Sequence, residues 1–359
     1  MTTTPPNPNP KPSVLLIGTL SHALSEWTSL RSKYDLLEFN PPPQTTQTSS
    51  SRDLFLHNCR STTLYASVIG CYRSNGSTRI TGPFDAELVD ALPDAWKYIA
   101  HNGAGYDTID VEACSRRRIA VSNTPGAVDD STADTGIFLM LGALRMAHYS
   151  ITALRAGRWL GETPRGHDPK GKVLGILGMG GIGRATAKRA RAFGMRIIYH
   201  NRSRLPPHLE GDAEYVSFDD LLARSDVFSL NLALNGSTRH IIGAPEIARM
   251  KKGVVIVNTA RGALIDEQAL ADALEEGDVV SAVGLDVYEH EPEINEKLVK
   301  NPRAFLLPHV GTYTHETSTA MERLVLKNLE TAVDEGKMLT LVPEQKGLEW
   351  APPSKELDA

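Results

Sequence analysis

The sequence predicts an α/β protein of two domains, each built on a parallel sheet, with a cleft between them. Three observations predict it. Short apolar runs recur along the chain, separated by amphipathic stretches of helical spacing, the alternation that yields parallel strands joined by crossover helices. The length of 359 residues exceeds the roughly 250–300 at which single cores stop growing. One apolar run also passes directly into a glycine-rich segment that opens a helix.

In chain order, residues 1–12 are rich in Pro, Thr and Asn, lack the apolar centre of a signal peptide, and are expected to be disordered. Ser13–Gly18 (SVLLIG) reads as a buried strand followed by an amphipathic segment. Pro41–Ser51 is polar and of low complexity, an exposed loop or insertion. Ala66–Tyr72, Trp96–His101 and Ile119–Ser122 are further strands. From Ala127 to Tyr149 the spacing turns helical, and one long helix with Asp129, Asp130 and Ser131 as its caps is expected to join the domains. Beyond it come six strands, Val173–Leu177, Arg196–Tyr199, Val227–Leu230, Val254–Val257, Ala282–Leu285 and Phe305–Leu307, the repertoire of a dinucleotide-binding sheet. A last amphipathic helix over Thr314–Gly336 carries the chain back to the first domain.

Composition narrows the partners. A net charge of −5 offers no footprint for nucleic acid or an anionic membrane, so small soluble partners are favoured. No stretch is long and apolar enough to span a bilayer. Cys59, Cys71 and Cys114 make neither a close metal-ligand pair nor an even disulfide framework, which fits a reducing compartment, and no metal site is expected. A cytoplasmic location is the simplest expectation.

The segment Gly178-Met-Gly180-Gly181-Ile182-Gly183 follows the strand KVLGIL and opens a helical run. Gly178 permits the tight turn, Gly180 lets a pyrophosphate approach the backbone, and Gly183 lets the helix pack close to its strand. The helix N-terminus supplies amide donors and partial positive charge. An NAD site usually places an acid about 20 residues further on, to hold the ribose 2′-hydroxyl. Here that place reads Asn201-Arg202-Ser203-Arg204. A carboxylate would repel a 2′-phosphate, whereas Arg202 and Arg204 can pair with it and Ser203 can donate to it, so NADPH is expected over NADH.

Three charged groups follow strands: Arg261 after VVIVNTA, Glu291 after AVGLDV, and His309 after AFLLP. Ligands of open α/β sheets bind outside the carboxyl ends of the strands. An arginine to hold a carboxylate, and a histidine with a carboxylate beside it to deliver a proton, suit the reduction of a 2-oxo acid. Each also has an ordinary reading: a surface ion-pair arginine, a helix-capping histidine, a glutamate of an exposed loop. The pattern leaves Glu289, Glu291 and Glu293 open as the carboxylate, and does not exclude His290 or His315.

From Ala100 to about Thr319 the motifs HNGAGYDTID, SNTPGAV, LGMGGIGRA, VVIVNTARGALID, GLDVYEHEP and LLPHVGT stand in order. In them the chain resembles the D-isomer-specific 2-hydroxyacid dehydrogenase family, especially its glyoxylate and hydroxypyruvate reductase branch and fungal relatives. The resemblance implies an oxidoreductase in which Arg261 binds substrate, Glu291 is the partner carboxylate and His309 the general acid and base. It implies that backbone amides at Ala104 and Gly105 grip the substrate carboxylate. It gives Asp286 a contact with the nicotinamide end of the cofactor, and makes Thr132, Asn231, Thr259, Ala260 and Gly311 cofactor-wall positions. The family has a bulky apolar residue where Asn102 stands, a departure that bears on substrate choice.

The expected organisation is then a flavodoxin-like substrate domain (13–124 with 319–359) and a Rossmann-like cofactor domain (125–316), closing over substrate and paired as a homodimer through the helix near Ala127–Tyr149 and the arm at Gly157-Arg-Trp159. The rival readings are an NAD-preferring mandelate or branched-chain 2-oxo acid reductase, and a redox-sensing, corepressor-like binding protein. Relatives of the latter kind carry an acid where Asn201-Arg202 stands, which favours the enzyme.

Overall fold

The computed structural model describes residues 11–41, 50–61 and 63–350. The tail expected over 1–12 lies outside them apart from Lys11 and Pro12, as does most of the Pro41–Ser51 stretch. At that stretch's end, Ser50 caps a helix, Ser51–Arg60, through its side chain.

The chain divides into two compact units, Met1–Ala127 with Thr314–Ala359, and Val128–Tyr313. The first is built on strands β1 (Ser13–Ile17), β2 (Asp35–Phe39), β3 (Val68–Arg73), β4 (Tyr98–His101) and β5 (Ala120–Ser122). All are parallel, in the order β2-β1-β3-β4-β5, which is the flavodoxin order. The apolar runs of this sheet face two cores. Leu15 and Ile17 pack with Phe55, Phe84 and Ile99, while Val14 and Leu16 pack with Trp27, Tyr72, Val325 and Leu329 of the last helix. Burial on both faces is why such strands read as unbroken apolar segments. The edge strand β2 is half exposed and carries Asp35 and Glu38, so its pattern was not expected as a strand.

The second unit holds β6 (Val173–Leu177), β7 (Arg196–His200), β8 (Glu214–Tyr215), β9 (Val227–Leu230), β10 (Val254–Asn258), β11 (Val280–Leu285) and β12 (Ala304–Leu306). The order is β12-β11-β10-β9-β6-β7-β8, and the pairing is parallel throughout. This is the doubly wound arrangement, whose strand order reverses between β6 and β9 and so opens a crevice there. The six expected strands are present, and β8 adds a two-residue edge.

The expected single helix over Ala127–Tyr149 is two helices, Asp129–Leu144 and Ala147–Arg155, bent by 74°. The Leu144 carbonyl accepts from the His167 amide at 2.8 Å, so it is not the acceptor for a continuing helix, and Met146 takes a left-handed conformation (φ 52) at the break. The expected caps are also corrected. The N-cap is Val128, without a side-chain bond. Asp129 and Asp130 lie in the first turn, where their charge suits the helix dipole, and Ser131 donates to the Gly311 carbonyl. The first of the two helices is mostly buried, and no single helix among the described residues is long and apolar enough to cross a membrane.

Candidate active site

The glycines after β6 are required for different reasons. Gly178 has φ +98, and a Cβ there would lie 2.8 Å from the Asn231 backbone, so the loops after β6 and β9 meet only if this residue is glycine. A Cβ on Gly183 would lie 2.3 Å from the Gly178 carbonyl, the close approach of helix to strand. A Cβ on Gly180 would meet nothing within 4 Å. Protein packing does not demand a glycine there, whereas a phosphate approaching the backbone does. The helix that follows, Gly181–Ala192, has glycine at its N-cap and so no capping side chain from that residue, and a helix N-terminus presents amides that suit an anion. The crevice and these amides fit a dinucleotide.

At the end of β7, Asn201 is turned toward this cradle, its Oδ1 accepting from the Met179 amide at 2.6 Å. Arg202 and Ser203 are exposed, and Arg202 makes no ion pair among the described residues. Arg204 differs from expectation. Its guanidinium binds both oxygens of Glu210 at 2.9 and 3.2 Å, and Glu210, 5% exposed, also accepts from the Tyr199 hydroxyl. The buried carboxylate needs this partner, so Arg204 braces the loop and only Arg202 and Ser203 face solvent unengaged. The arginine and the tyrosine hold Glu210 below the ordinary carboxylate range against its burial.

The loop after β10 is shaped by Asn258, which is 1% exposed. Its side chain accepts from the Ala260 amide and donates to the Arg261 carbonyl, and the Arg261 guanidinium donates to the Ala260 carbonyl at 2.8 Å. A Cβ on Gly262 would fall 1.9 Å from the Tyr288 backbone. Glycine therefore lets the Arg261 loop lie against the loop after β11 that bears Glu291. Neither Asn258 nor Gly262 carried a chemical signal in the sequence beyond adjacency to Arg261.

Glu291 and His309 meet across the ends of β11 and β12, with Oε2 2.7 Å from Nδ1, while Oε1 accepts from the Tyr288 amide at 3.0 Å. Burial opposes the charge on Glu291, but the bonds from His309 and Tyr288 and the charge of Arg261 outweigh it and hold the carboxyl below its usual value. With Nδ1 engaged, Nε2 is the nitrogen left to exchange a proton. The loop is held by Asp286, 1% exposed, whose two oxygens accept from the amides of Val310 and Gly311 at 2.7 and 2.8 Å. Its first duty is therefore to anchor the turn in which His309 adopts φ 58; burial raises its pKa despite those two bonds. The other residues left open by the pattern go elsewhere. Glu289 pairs with Arg239 and His240, His290 and Glu293 bridge to each other through the backbone, and His315 opens the last helix of the first unit beside His22. Thr132, 5% exposed, lies within 4 Å of where a Cβ on Gly311 would stand, and Thr259 lies near Gly136.

Because a carboxylate held low is lost only as pH falls through its depressed pKa, Glu291 stays ionised above the ordinary value of 4.5. Catalytic efficiency is thus expected not to fall between pH 7 and about pH 5. An acid limb setting in above pH 5 would contradict an ionised Glu291. Replacing it, in Glu291→Gln, removes a charge-assisted bond worth roughly 1.5–3 kcal/mol, or about one to two decades in rate.

In the first unit, the residues after β4 form a loop with its carbonyls tied inward. The oxygens of Gly103, Ala104 and Gly105 accept from the Thr124 amide at 3.1 Å, Asn123 Nδ2 at 2.7 Å and His101 Nε2 at 3.1 Å. In a trans peptide the N–H points opposite to the carbonyl, so the amides of Ala104 and Gly105 face away from these anchors, and neither has an acceptor among the described residues. Asn102, the departure noted above, donates to the buried Tyr72 hydroxyl at 2.7 Å.

Residues 137–311 match the model of the D-isomer specific 2-hydroxyacid dehydrogenase NAD-binding domain. The chain is 62% identical to 4-methyl-2-oxopentanoate reductase A of Aspergillus oryzae, over 94% of this chain and 99% of that one. A glyoxylate reductase from Paecilomyes thermophila superposes with a TM-score of 0.90 at 62% identity, covering 94% of this chain and 100% of that one. An NADPH-dependent glyoxylate/hydroxypyruvate reductase from Sinorhizobium meliloti, solved with NADP and malonate, gives a TM-score of 0.77 at 30% identity, covering 93% and 97%. The second unit is thus a nicotinamide dinucleotide-binding domain. The chain belongs to the D-isomer-specific 2-hydroxyacid dehydrogenase family and is an NAD(P)-dependent oxidoreductase.

Proposed function

We propose that this enzyme uses NADPH to reduce a small 2-oxo acid of the glyoxylate and hydroxypyruvate class to its D-2-hydroxy acid. The observation that carries the proton chemistry is the 2.7 Å bond from His309 Nδ1 to Glu291, which orients the ring and balances the charge of an imidazolium. When bound, NADPH supplies the hydride. Arg261 holds the substrate carboxylate and polarises the ketone, and the amides of Ala104 and Gly105 are the substrate-binding groups of the unit built on β1–β5. His309 Nε2 gives its proton to the ketone oxygen as the alkoxide forms, and takes it back in oxidation. The glycine cradle binds the pyrophosphate, Asp286 meets the nicotinamide end, and Thr132, Asn231, Thr259, Ala260 and Gly311 form the cofactor wall.

The NADPH preference is supported by Asn201 standing where an NAD enzyme carries an acid, and by the exposed, unpaired Arg202 beside it. Arg202→Ala is expected to reduce the NADPH over NADH ratio by about one to two decades, the worth of one charge-assisted pair. Equal efficiency with both cofactors in the parent protein would refute the preference.

A second substrate reading has a specific basis. The Aspergillus relative, identical at 62% of positions, is named for 4-methyl-2-oxopentanoate, a branched-chain 2-oxo acid. NADPH oxidation measured against glyoxylate, hydroxypyruvate, 4-methyl-2-oxopentanoate and phenylglyoxylate separates the readings, and inactivity on all four would reject both. We further propose a cytoplasmic homodimer. The dimer is supported by the exposed apolar residues Phe138, Ile151, Leu154, Trp159 and Leu160 within one stretch of the chain, of which Trp159 is 86% exposed, since large apolar side chains concentrated in this way suit a second copy better than water.

A further inference from the structure

A cationic side chain is buried beneath the Gly103–Gly105 loop. Arg73 ends β3 with no solvent exposure. Its Nη1 is 3.0 Å from His101 Nδ1, its Nη2 donates to the hydroxyls of Thr78 and Thr108 at 2.9 and 3.1 Å, and its guanidinium lies 5.0 Å from the centre of the Phe84 ring. None of these neighbours is an anion, Asp107 acts on it only at longer range, and its Nε is buried without a hydrogen-bond partner. Burial pulls its pKa down to about 10, which leaves it charged at neutral pH. A buried cation with no carboxylate in hydrogen-bond contact is costly, and a substrate anion arriving near it would offset that cost.

The contacts above it say where that anion comes. His101, itself fully buried, accepts from Arg73 at Nδ1 and donates from Nε2 to the Gly105 carbonyl. One tautomer satisfies both ends. The chain Arg73, His101, Gly105 thus transmits the position of the guanidinium to the Gly105 carbonyl, and so fixes one end of the loop that carries the Ala104 and Gly105 amides.

We infer that Arg73 is a positioning residue for the substrate carboxylate: through His101 it anchors the end of the loop that carries the Ala104 and Gly105 amides, and its charge lies under the anion they receive. This rests on the reading of that loop as the carboxylate site. Arg73 does not touch the substrate. It acts through the loop and through its field, so it governs binding of the oxo acid and not of the cofactor.

The test compares the parent with Arg73→Met, Arg73→Lys and His101→Asn in the full chain. It measures KM for the best 2-oxo acid, the Kd of oxamate with NADPH present, the Kd of NADPH, and Tm. Arg73→Met is expected to raise the KM and the oxamate Kd roughly ten-fold or more, the scale of an ionic interaction across one intervening side chain. Its NADPH Kd should stay within about two-fold, whatever stability is lost with the bonds to His101, Thr78 and Thr108. Arg73→Lys keeps the charge but not the link to His101, and His101→Asn breaks the link alone; both should give smaller rises. An oxamate Kd within about two-fold of the parent in Arg73→Met would overturn the inference, as would parallel losses of oxamate, NADPH and Tm, the mark of a merely structural role. Should Arg73→Met not fold, unchanged oxamate binding in the other two variants would overturn it equally. A parent that reduces no 2-oxo acid yet binds oxamate in an Arg73-dependent way would reject the functional reading and leave this one standing.

Discussion

His309→Ala is expected to lose about two to four decades of turnover in both directions, while NADPH still binds within about two-fold of the parent affinity. The size follows from the step that is lost. Hydride arrival at the carbonyl carbon leaves charge on oxygen, and without a positioned donor the proton must come from water. Binding is spared because the contacts proposed for the pyrophosphate and the 2′-phosphate lie at the ends of β6 and β7, whereas His309 follows β12. In the parent, reduction consumes a proton and oxidation releases one, so the efficiency of reduction should fade as pH rises while that of oxidation grows. Stopped-flow measurement of the hydride step, paired with fluorescence titration of NADPH, checks both halves. Full turnover in His309→Ala would remove this histidine from the mechanism, and loss of cofactor binding would recast it as a structural residue of the loop that Asp286 anchors.

Arg261→Lys is the second large effect, expected to cost on the order of a hundred-fold in kcat/KM although the charge is kept. Lysine offers a point charge on a flexible stem, and it cannot make two parallel bonds to a planar carboxylate. The arginine is also pre-set: its guanidinium is tied to the Ala260 carbonyl, and its own carbonyl is held by Asn258, so little order is lost when substrate arrives. Lysine would forfeit that preparation. Its charge would still act on Glu291, so the behaviour toward acid described above should persist in this variant. Parent-like kinetics on the best 2-oxo acid would show that Arg261 is not the anchor.

Local pattern carried much of this protein. Strands buried on both faces, such as β1 and β10, appear as unbroken apolar runs because every side chain along them meets a core. The cradle was visible because its requirements fall on neighbouring residues: a turn at Gly178, an open approach at Gly180 and a close helix at Gly183. The last helix was likewise bounded by its own capping residues, Thr314 and Gly336.

The tertiary structure decided what depends on residues distant in the chain. The edge strand β2 breaks the apolar pattern because one of its sides has no neighbour. The helix after Val128 stops at Leu144 because a residue of the returning chain, His167, claims the carbonyl. Arg202 and Arg204 are alike in sequence, yet Arg204 faces Glu210 and Arg202 does not. Among Glu289, Glu291 and Glu293, only the folded loops after β11 and β12 bring one carboxylate, Glu291, to His309. Arg73 reads as an ordinary strand-end cation until β4 and its loop close over it. Periodicity is a property of adjacent residues and so is written in the sequence. The partner of a charged side chain is set by which loops converge at the sheet edge, and that is known only once the chain has folded.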